Sequence, residues 1–190
     1  MFAEELKRGT LHAHTGVEKK LVTQIRKVST IDDYIQLLEL MYGYYLPLQQ
    51  KIMPFLDNSD DDSRGRQAES ILNDINDLKP DHQLRTEVCN NLPEVNTRAA
   101  SLGALYVTEG STLGGKYIAA MISKQLNISS QRGFSFFNAY GDQTMTMWED
   151  FKSILNANYT DQEKREMMNS ANDTFSKFNE WITLYESTDN

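Results

Sequence analysis

The sequence predicts an all-α protein, a multi-helix bundle that spans residues 1–190 as one domain. Apolar residues recur at helical spacing along most of the chain, as in the segment from Phe2 to about Val28. No convincing series of alternating strands and helices is present, which argues against a βαβ fold. With 190 residues, of which 39% are hydrophobic, the chain is large enough for one substantial core.

The predicted elements follow from the positions of apolar runs, caps and helix breakers. Ser29 and Thr30 are cap candidates for the second helix, and Pro47 is expected to kink that helix because proline lacks a backbone donor. Thr160 is the cap candidate for the last helix. We expect helices over residues 2–28, 31–56, 66–78, 81–89, 96–126, 144–159 and 160–187, and loops over 57–66 and 127–143.

Charge and composition narrow the classes of function. The formal net charge of −8 argues against nucleic acid as the main partner, since the phosphate backbone selects for clustered Lys and Arg. No apolar run reaches the roughly 18 residues of a membrane span, and the N-terminus lacks the apolar stretch of a signal peptide. We therefore expect a cytoplasmic protein with no membrane partner. The single cysteine, Cys89, can form neither an internal disulfide nor a cysteine metal cluster.

Residues 102–122, LGALYVTEGSTLGGKYIAAMI, are unusually rich in glycine for a helix. At 100° per residue, Gly103, Gly110 and Gly114 lie on one face, within about 20° of its centre, and Ser111 and Gly115 flank that face. Each interior glycine costs a helix about 0.5–1 kcal/mol relative to alanine, so something must offset the loss. Close packing against another helix is one explanation. A flat ligand that lies directly against the backbone is the other.

The same segment matches most of a phosphate-binding loop, because Gly110 to Lys116 fits G-x-x-x-x-G-K. That hypothesis requires a strand over LGALYVT, residues 102–108, and a Ser or Thr directly after the lysine. Tyr117 stands at that position, and the βαβ pattern of such folds is missing. We therefore disfavour nucleotide binding.

Two motifs, far apart in the chain, together point to a known family. Leu6 to Glu18 contains L-K-x-x-T-x-x-x-H-x-x-x-E, and Gly110 to Gly115 fits G-x-x-x-G-G. YGYYLPLQQKI and NDTFSKFNEWI are similar to a second and a closing helix in the same family. On these motifs the chain resembles the heme oxygenase family. The segment YVTEGSTLGG looks most like the bacterial branch of the family, which includes members that make biliverdin for phytochromes.

The resemblance implies a single heme oxygenase-like domain with heme between the first helix and a kinked, glycine-rich distal helix. Heme is then both cofactor and substrate, and O2 and reducing electrons convert it to biliverdin, CO and iron. His14 is implied as the proximal ligand of the iron. The implied catalytic residues are Gly110, Ser111 and Gly114. The implied heme contacts are Lys7, Thr10, Ala13, His14, Val17, Glu18, Thr112, Gly115 and Phe175.

The first helix carries two histidines that cannot face one ligand, because His12 lies about 200° around the helix from His14. The family pattern selects His14. Glu18 follows His14 by one turn, where its carboxylate could accept the second imidazole N–H, directly or through water, and fix the ring orientation. An exposed His–Glu pair, worth only a few tenths of a kcal/mol, is the alternative. His82 is expected at the surface.

The chain departs from the family pattern at two positions. Ser111 stands where animal-type members carry an aspartate that organises water on the distal side, and a serine carries no charge. Leu11 replaces a second lysine of the first helix, so the propionate contacts and the cleaved meso carbon stay open. Ser111 also keeps a second hypothesis open, a non-catalytic heme or bilin carrier on the same fold. A thiaminase-like enzyme would need a nucleophilic cysteine, and Cys89 shows no such context.

Residues 1–30 contain six cations and three anions in a chain of net charge −8. We predict that an acidic electron donor, such as ferredoxin or a flavoprotein reductase, docks near the first helix. A solvated helix face is the alternative. The cations are Lys7, Arg8, Lys19, Lys20, Arg26 and Lys27, and the anions are Glu4, Glu5 and Glu18.

Overall fold

The computed structural model describes residues 1–56, 67–85, 87–129 and 132–188. Most of these residues are helical, and none of them is in a strand, so the all-α prediction is confirmed. The predicted loop over 57–66 lies outside the described residues. In chain order the helices are α1 (Phe2–Lys27), α2 (Ile31–Ile52), α3 (Gln67–Leu78), α4 (Arg98–Leu126), α5 (Thr144–Leu155) and α6 (Asp161–Thr188), with short 3-10 turns at Met53–Phe55 and Gly141–Gln143.

Two helices begin with reciprocal caps at the residues that the sequence predicts. The Thr30 side chain accepts a hydrogen bond from the Asp33 N–H, and the Asp33 carboxylate accepts one from the Thr30 N–H. Thr160 and Glu163 make the same exchange at the start of α6. In each case N–H groups without a helical partner are satisfied, which fixes where the helix starts.

The second helix is shorter than predicted. It runs through Pro47 but ends at Ile52, and a 3-10 turn carries the chain on to Phe55. Pro54 lies within that turn. A proline cannot donate the helical hydrogen bond, so the α-helical pattern ends just before Pro54, although Met53 itself keeps helical φ and ψ angles.

The predicted helix over 81–89 is wrong, because α2 satisfies polar groups of this segment. The described residues of the segment are irregular. The Cys89 N–H donates to the Gly43 carbonyl at 2.8 Å, and the Arg85 N–H donates to the Glu39 carboxylate at 2.9 Å. Once distant groups accept these hydrogen bonds, the segment gains little from forming a local helix.

Glu39 also changes the interpretation of His82. The His82 Nε2 lies 2.8 Å from a carboxylate oxygen of Glu39, and only 20% of the His82 side chain is exposed. A carboxylate as buried as that of Glu39 needs polar partners, and His82 is one of them. His82 is therefore half-buried at the surface and paired with Glu39.

Two of the alternative functions lose their structural basis. Residues 102–108 are helical and lie inside α4, so the strand that a phosphate-binding loop requires is not there. Cys89 is buried outside the helices, and burial raises the pKa of its thiol. A nucleophilic cysteine needs the opposite, a lowered pKa and access to substrate.

The last helix, α6, is the element around which the bundle is assembled, since it packs extensively against both α4 and α1. It is also tied to α2 by two buried hydrogen bonds. The Tyr44 hydroxyl donates to the Thr174 carbonyl at 2.7 Å, and the Trp181 indole N–H donates to the Leu40 carbonyl at 2.9 Å. Both rings are therefore buried with their polar atoms satisfied.

The helices α1 and α6 run parallel. Gly9 of α1 lies against Met168, and further along both helices the Lys20 ammonium donates to the Asn179 carbonyl at 3.0 Å. By contrast, α1 and α4 make no extensive contact with each other. The two helices that carry the predicted site are thus both packed on α6, and they meet each other locally where the side chains of Thr10 and Tyr106 form a hydrogen bond. None of the described helices is both long and apolar enough to cross a membrane.

Candidate functional site

His14 lies on the exposed side of α1, with its imidazole against α6. The ring is edge-on to Phe175, with the centroids 5.4 Å apart and the planes at 73°. Near it on α1, Thr10 and Val17 are buried and Ala13 is half-buried. The imidazole makes no hydrogen bond to any residue that the structure describes. Phe175 therefore restricts the ring, while both ring nitrogens are available to an external ligand.

The other polar residues of α1 are arranged differently from His14. No hydrogen bond joins His14 to Glu18 in the described part of the chain, and the Glu18 carboxylate is exposed. A contact through water stays a prediction. His12 and Lys7 are both exposed. The Thr10 hydroxyl is not directed outward, because it donates to the Leu6 carbonyl at 2.8 Å.

Two of the four α4 glycines allow close packing. A Cβ at Gly103 would overlap the Met167 carbonyl group, whose carbon would lie only 2.9 Å away. A Cβ at Gly115 would overlap the Phe137 carbonyl group in the same way, again with 2.9 Å to the carbon. Backbone from α6 and from the chain after α4 occupies the space that these side chains would need, so the packing explanation applies to this pair.

Gly110 and Gly114, which we call the open pair, have different surroundings. A Cβ at Gly114 would meet no described atom within 4 Å, and a Cβ at Gly110 would meet only the Trp148 ring, at 3.7 Å. Nothing in the described protein requires a glycine at either position. The open pair is therefore where a flat ligand could lie against the helix backbone.

Ser111 adjoins the open pair, and its hydroxyl is held by two hydrogen bonds. It accepts one from the Tyr45 hydroxyl at 3.1 Å and donates one to the Thr108 carbonyl at 2.6 Å. Burial raises the pKa of Tyr45 to about 12, so its phenol is protonated and can donate at physiological pH. Thr112 is buried, and its hydroxyl donates to the Glu109 carbonyl at 2.7 Å.

The family model described as heme oxygenase matches residues 1–183. The chain belongs to the heme oxygenase family. Its members bind and degrade heme. The match covers α1, α2, α4, α5 and nearly all of α6, the helices that carry the residues described above. No sequence among the curated proteins matches the chain.

Solved heme oxygenase structures share the fold at low sequence identity. The enzyme from Leptospira interrogans is 16% identical, with a TM-score of 0.75 over 96% of this chain and 98% of that one. The NO- and CO-bound heme oxygenase from Neisseria meningitidis is 19% identical, with a TM-score of 0.73 over 98% and 92%. Heme oxygenase-1 from the cyanobacterium Synechocystis, in complex with heme, is 16% identical, with a TM-score of 0.71 over 98% and 93%.

The residues of this chain fit a flat ring with a central metal. The His14 imidazole is exposed and has no hydrogen bond to a described residue, so a ring nitrogen is free, as an axial ligand requires. The open pair on α4 leaves the helix backbone uncovered by described side chains, so a flat ligand could approach it there. The Trp148 ring lies beside Gly110 and supplies an apolar wall.

Two residues of this site were not identified from the sequence, Tyr45 and Trp148. Tyr45 lies in the segment YGYYLPLQQKI, where a buried tyrosine on a helix signals that its hydroxyl needs a partner. The sequence does not reveal that the partner is Ser111, because the two are 66 residues apart and meet only in the bundle. The Trp148 ring, 5.8 Å from that of Tyr106, is likewise placed by the packing of α5 on α4.

Proposed function

We propose that the chain cleaves heme with O2 and reducing electrons to biliverdin, CO and iron, and that His14 binds the iron. The observation that carries the proposal is the open pair on α4. Gly110 and Gly114 weaken the helix by about 0.5–1 kcal/mol each and gain no packing in return. Space kept free for a ligand accounts for both residues in a member of a heme-binding family.

When bound, heme supplies the iron that activates O2, and it is also the molecule that is opened at a meso carbon. The contribution of His14 is a neutral imidazole nitrogen for the iron. Phe175 limits the tilt of that imidazole through its edge-on contact. A ligand whose ring orientation is fixed before heme arrives loses less freedom on binding.

On the opposite side of the heme, we assign the open pair and Ser111 separate tasks. Gly110 and Gly114 let a small molecule approach the backbone without steric conflict. The Ser111 oxygen, which already accepts from Tyr45 and donates to Thr108, keeps one lone pair that can accept a hydrogen bond from water. A water held there can deliver a proton beside the open pair.

The remaining heme contacts are proposed from their place on α1 and α4. Lys7 is an exposed cation two turns before His14 and about 20° from it around the helix, where it can pair with a propionate. Thr10, Ala13 and Val17 contribute apolar atoms beside His14. Thr112 and Gly115 are proposed as further contacts on α4, where the Thr112 hydroxyl is bonded to its own helix and Gly115 packs against Phe137.

The electron donor is proposed to dock on the exposed cations of α1. Two of the six cations are engaged by α6, since the Lys20 ammonium donates to the Asn179 carbonyl and Lys27 lies 3.8 Å from the Glu186 carboxylate. The exposed cations not paired in this way are Lys7, Arg8, Lys19 and Arg26. They are the surface that an acidic ferredoxin or flavoprotein reductase would meet.

The test is to add hemin, a reductant system and O2 and to follow the absorption spectrum. We expect about one heme per chain and decay of the heme spectrum into that of a bilin. His14→Ala should abolish the axial ligation, while the matched control His12→Ala should leave the heme spectrum nearly unchanged. A reversed result for the two variants would exclude His14 as the ligand.

Ser111 favours a second candidate, a non-catalytic heme or bilin carrier on the same fold. Its hydroxyl is uncharged and already makes two hydrogen bonds inside the protein, so it offers little capacity for organising water. A carrier would keep the heme spectrum unchanged under reductant and O2 in the same experiment.

A further inference from the structure

The chain between α4 and α5 folds back onto α4. We call residues 133–140 the aromatic turn. Its Phe137 carbonyl group occupies the space beside Gly115. Its Tyr140 hydroxyl donates to the carboxylate of Glu109, whose oxygens lie 2.9 and 3.1 Å away. Glu109 is only 1% exposed, so this contact is inside the protein.

These two contacts hold α4 from behind the open pair. Measured around the helix from Gly110, Gly114 lies at about 40°, Gly115 at about 140° and Glu109 at about 260°. The midpoint of the two contacts, about 200°, is therefore opposite the midpoint of the open pair, about 20°. A shift of the aromatic turn would move the open pair toward or away from any ligand in front of it.

The aromatic turn also contacts the residue that holds Ser111. The Phe136 ring is edge-on to the Tyr45 ring, with the centroids 5.3 Å apart. The Tyr45 hydroxyl in turn donates to Ser111. Three contacts thus connect the aromatic turn to the part of α4 between Glu109 and Gly115.

One buried carboxylate on α3 fixes the conformation of the aromatic turn. An oxygen of Asp74 accepts hydrogen bonds from the Ser135 N–H and hydroxyl, both at 2.7 Å, and the other accepts one from the Phe136 N–H at 2.8 Å. Asp74 is 1% exposed. Hydrogen bonds from backbone N–H groups to a carboxylate are among the stronger ones in proteins.

We propose that Asp74 is a positioning residue for the open pair and that it acts through the aromatic turn. The catalytic part of this statement rests on the proposed function. Asp74 itself lies on α3 and makes its hydrogen bonds to the turn, so it does not need to touch a ligand. Asp74 acts indirectly, because it fixes the position at which the aromatic turn contacts α4.

The first experiment uses the heme-free chain and needs no assumption about activity. Asp74→Asn keeps the shape of the side chain but replaces one acceptor oxygen by an NH2 group, so one N–H of the turn loses its acceptor. We expect amide hydrogen exchange at residues 110–115 to become about tenfold faster, the scale expected for one lost hydrogen bond to a charged group. Asp77→Asn, the same change on the exposed side of α3, should leave that exchange unchanged.

Two outcomes would overturn the proposal. Faster exchange confined to residues 133–140 would mean that the turn loosens without moving α4. Equal acceleration in every helix, including α6, would mean that Asp74 only stabilises the fold. Should Asp74→Asn not fold, Ser135→Ala removes one hydroxyl donor to the Asp74 carboxylate, Tyr140→Phe removes the hydroxyl that joins the turn to Glu109, and both are judged by the same criteria.

The second experiment uses the hemin-loaded chain and measures the ratio of bilin isomers. A shifted open pair should change which meso carbon is opened, so Asp74→Asn and Tyr140→Phe should alter the ratio while Asp77→Asn does not. Lower stability alone would reduce the yield and leave the ratio intact, which would contradict positioning. Absence of bilin from the unaltered chain would refute the proposed function, and hydrogen exchange would still decide the role of Asp74.

Discussion

Substitutions at two adjacent glycines, Gly114 and Gly115, should change stability in opposite directions. Gly114→Leu places a good helix former where a Cβ meets no described atom, so we expect stability to rise by about 0.5–1 kcal/mol. Gly115→Ala forces a methyl group into the Phe137 carbonyl. Overpacking costs about 1–3 kcal/mol, and the helix propensity of alanine returns about 0.5–1, which leaves a net loss of up to about 2.5 kcal/mol, toward the upper end because the contacted atoms are backbone.

Thermal unfolding followed by circular dichroism measures both effects. For a chain of this size, each kcal/mol shifts the Tm by roughly 2–4 °C. Gly114→Leu should therefore unfold roughly 1–4 °C higher than the unaltered chain, and Gly115→Ala up to roughly 10 °C lower. The activities of the two variants should not follow their stabilities. Gly114→Leu fills the space that we assign to the ligand, so it should lose most of its hemin binding and bilin formation although it is well folded.

Either of two results would refute this reasoning. If the Gly114→Leu variant converts hemin at the rate of the unaltered chain, no ligand lies against the open pair. Gly114→Leu that loses as much stability as Gly115→Ala would show that Gly114, too, is needed for packing. The comparison is informative because the two positions are neighbours on one helix and differ mainly in what faces them.

Three further predictions concern the hydroxyls of Ser111 and Tyr45, the exposed cations of α1 and the start of α2. Ser111→Ala and Tyr45→Phe should slow bilin formation or divert the reaction to release of peroxide, while the affinity for hemin stays similar. Bilin yields equal to those of the unaltered chain would show that neither hydroxyl takes part in the mechanism. Lys19→Glu should raise the apparent KM for an acidic protein donor, in a salt-dependent way, and leave turnover with a small chemical reductant unchanged. The pKa of Asp33 is lowered, chiefly by the Ser29 N–H, so its stabilising effect is present above the unfolded pKa, near 3.8, and is lost as the pH falls through the lower folded value. Asp33→Asn should accordingly flatten the acid limb of a plot of Tm against pH.

The parts of the fold that depend on local chemistry could be predicted from the sequence. Helical spacing predicts the helix class, and Thr30 and Thr160 predict where two helices begin, because a cap is satisfied by residues three positions away. The segment over 81–89 could not be predicted in this way. Its hydrogen bonds go to Glu39 and Gly43, which are far away in the sequence.

The residues of the candidate site likewise divide into those that local spacing predicts and those that only the packing of distant segments defines. Motif spacing predicts His14 and the open pair as functional positions, and those roles stay predictions. Spacing could not separate Gly103 and Gly115 from Gly110 and Gly114, since the four share a similar pattern and differ only in whether another segment's backbone lies against them. The Tyr45 hydroxyl was missed for the same reason, because its partner is defined by the packing of α2 on α4.

The parallel pairing of α1 and α6 has a consequence for how the protein is made. Contacts such as that between Lys20 and Asn179 join residues 159 positions apart, so the first and last helices meet only after the ribosome has delivered nearly all of this sequence. Until then His14 has no Phe175 beside it, and Gly103 has no Met167 to pack against. The nascent chain should therefore acquire affinity for heme abruptly and late, once α6 has emerged and docked, and stalled chains that end before α6 should not retain the ligand.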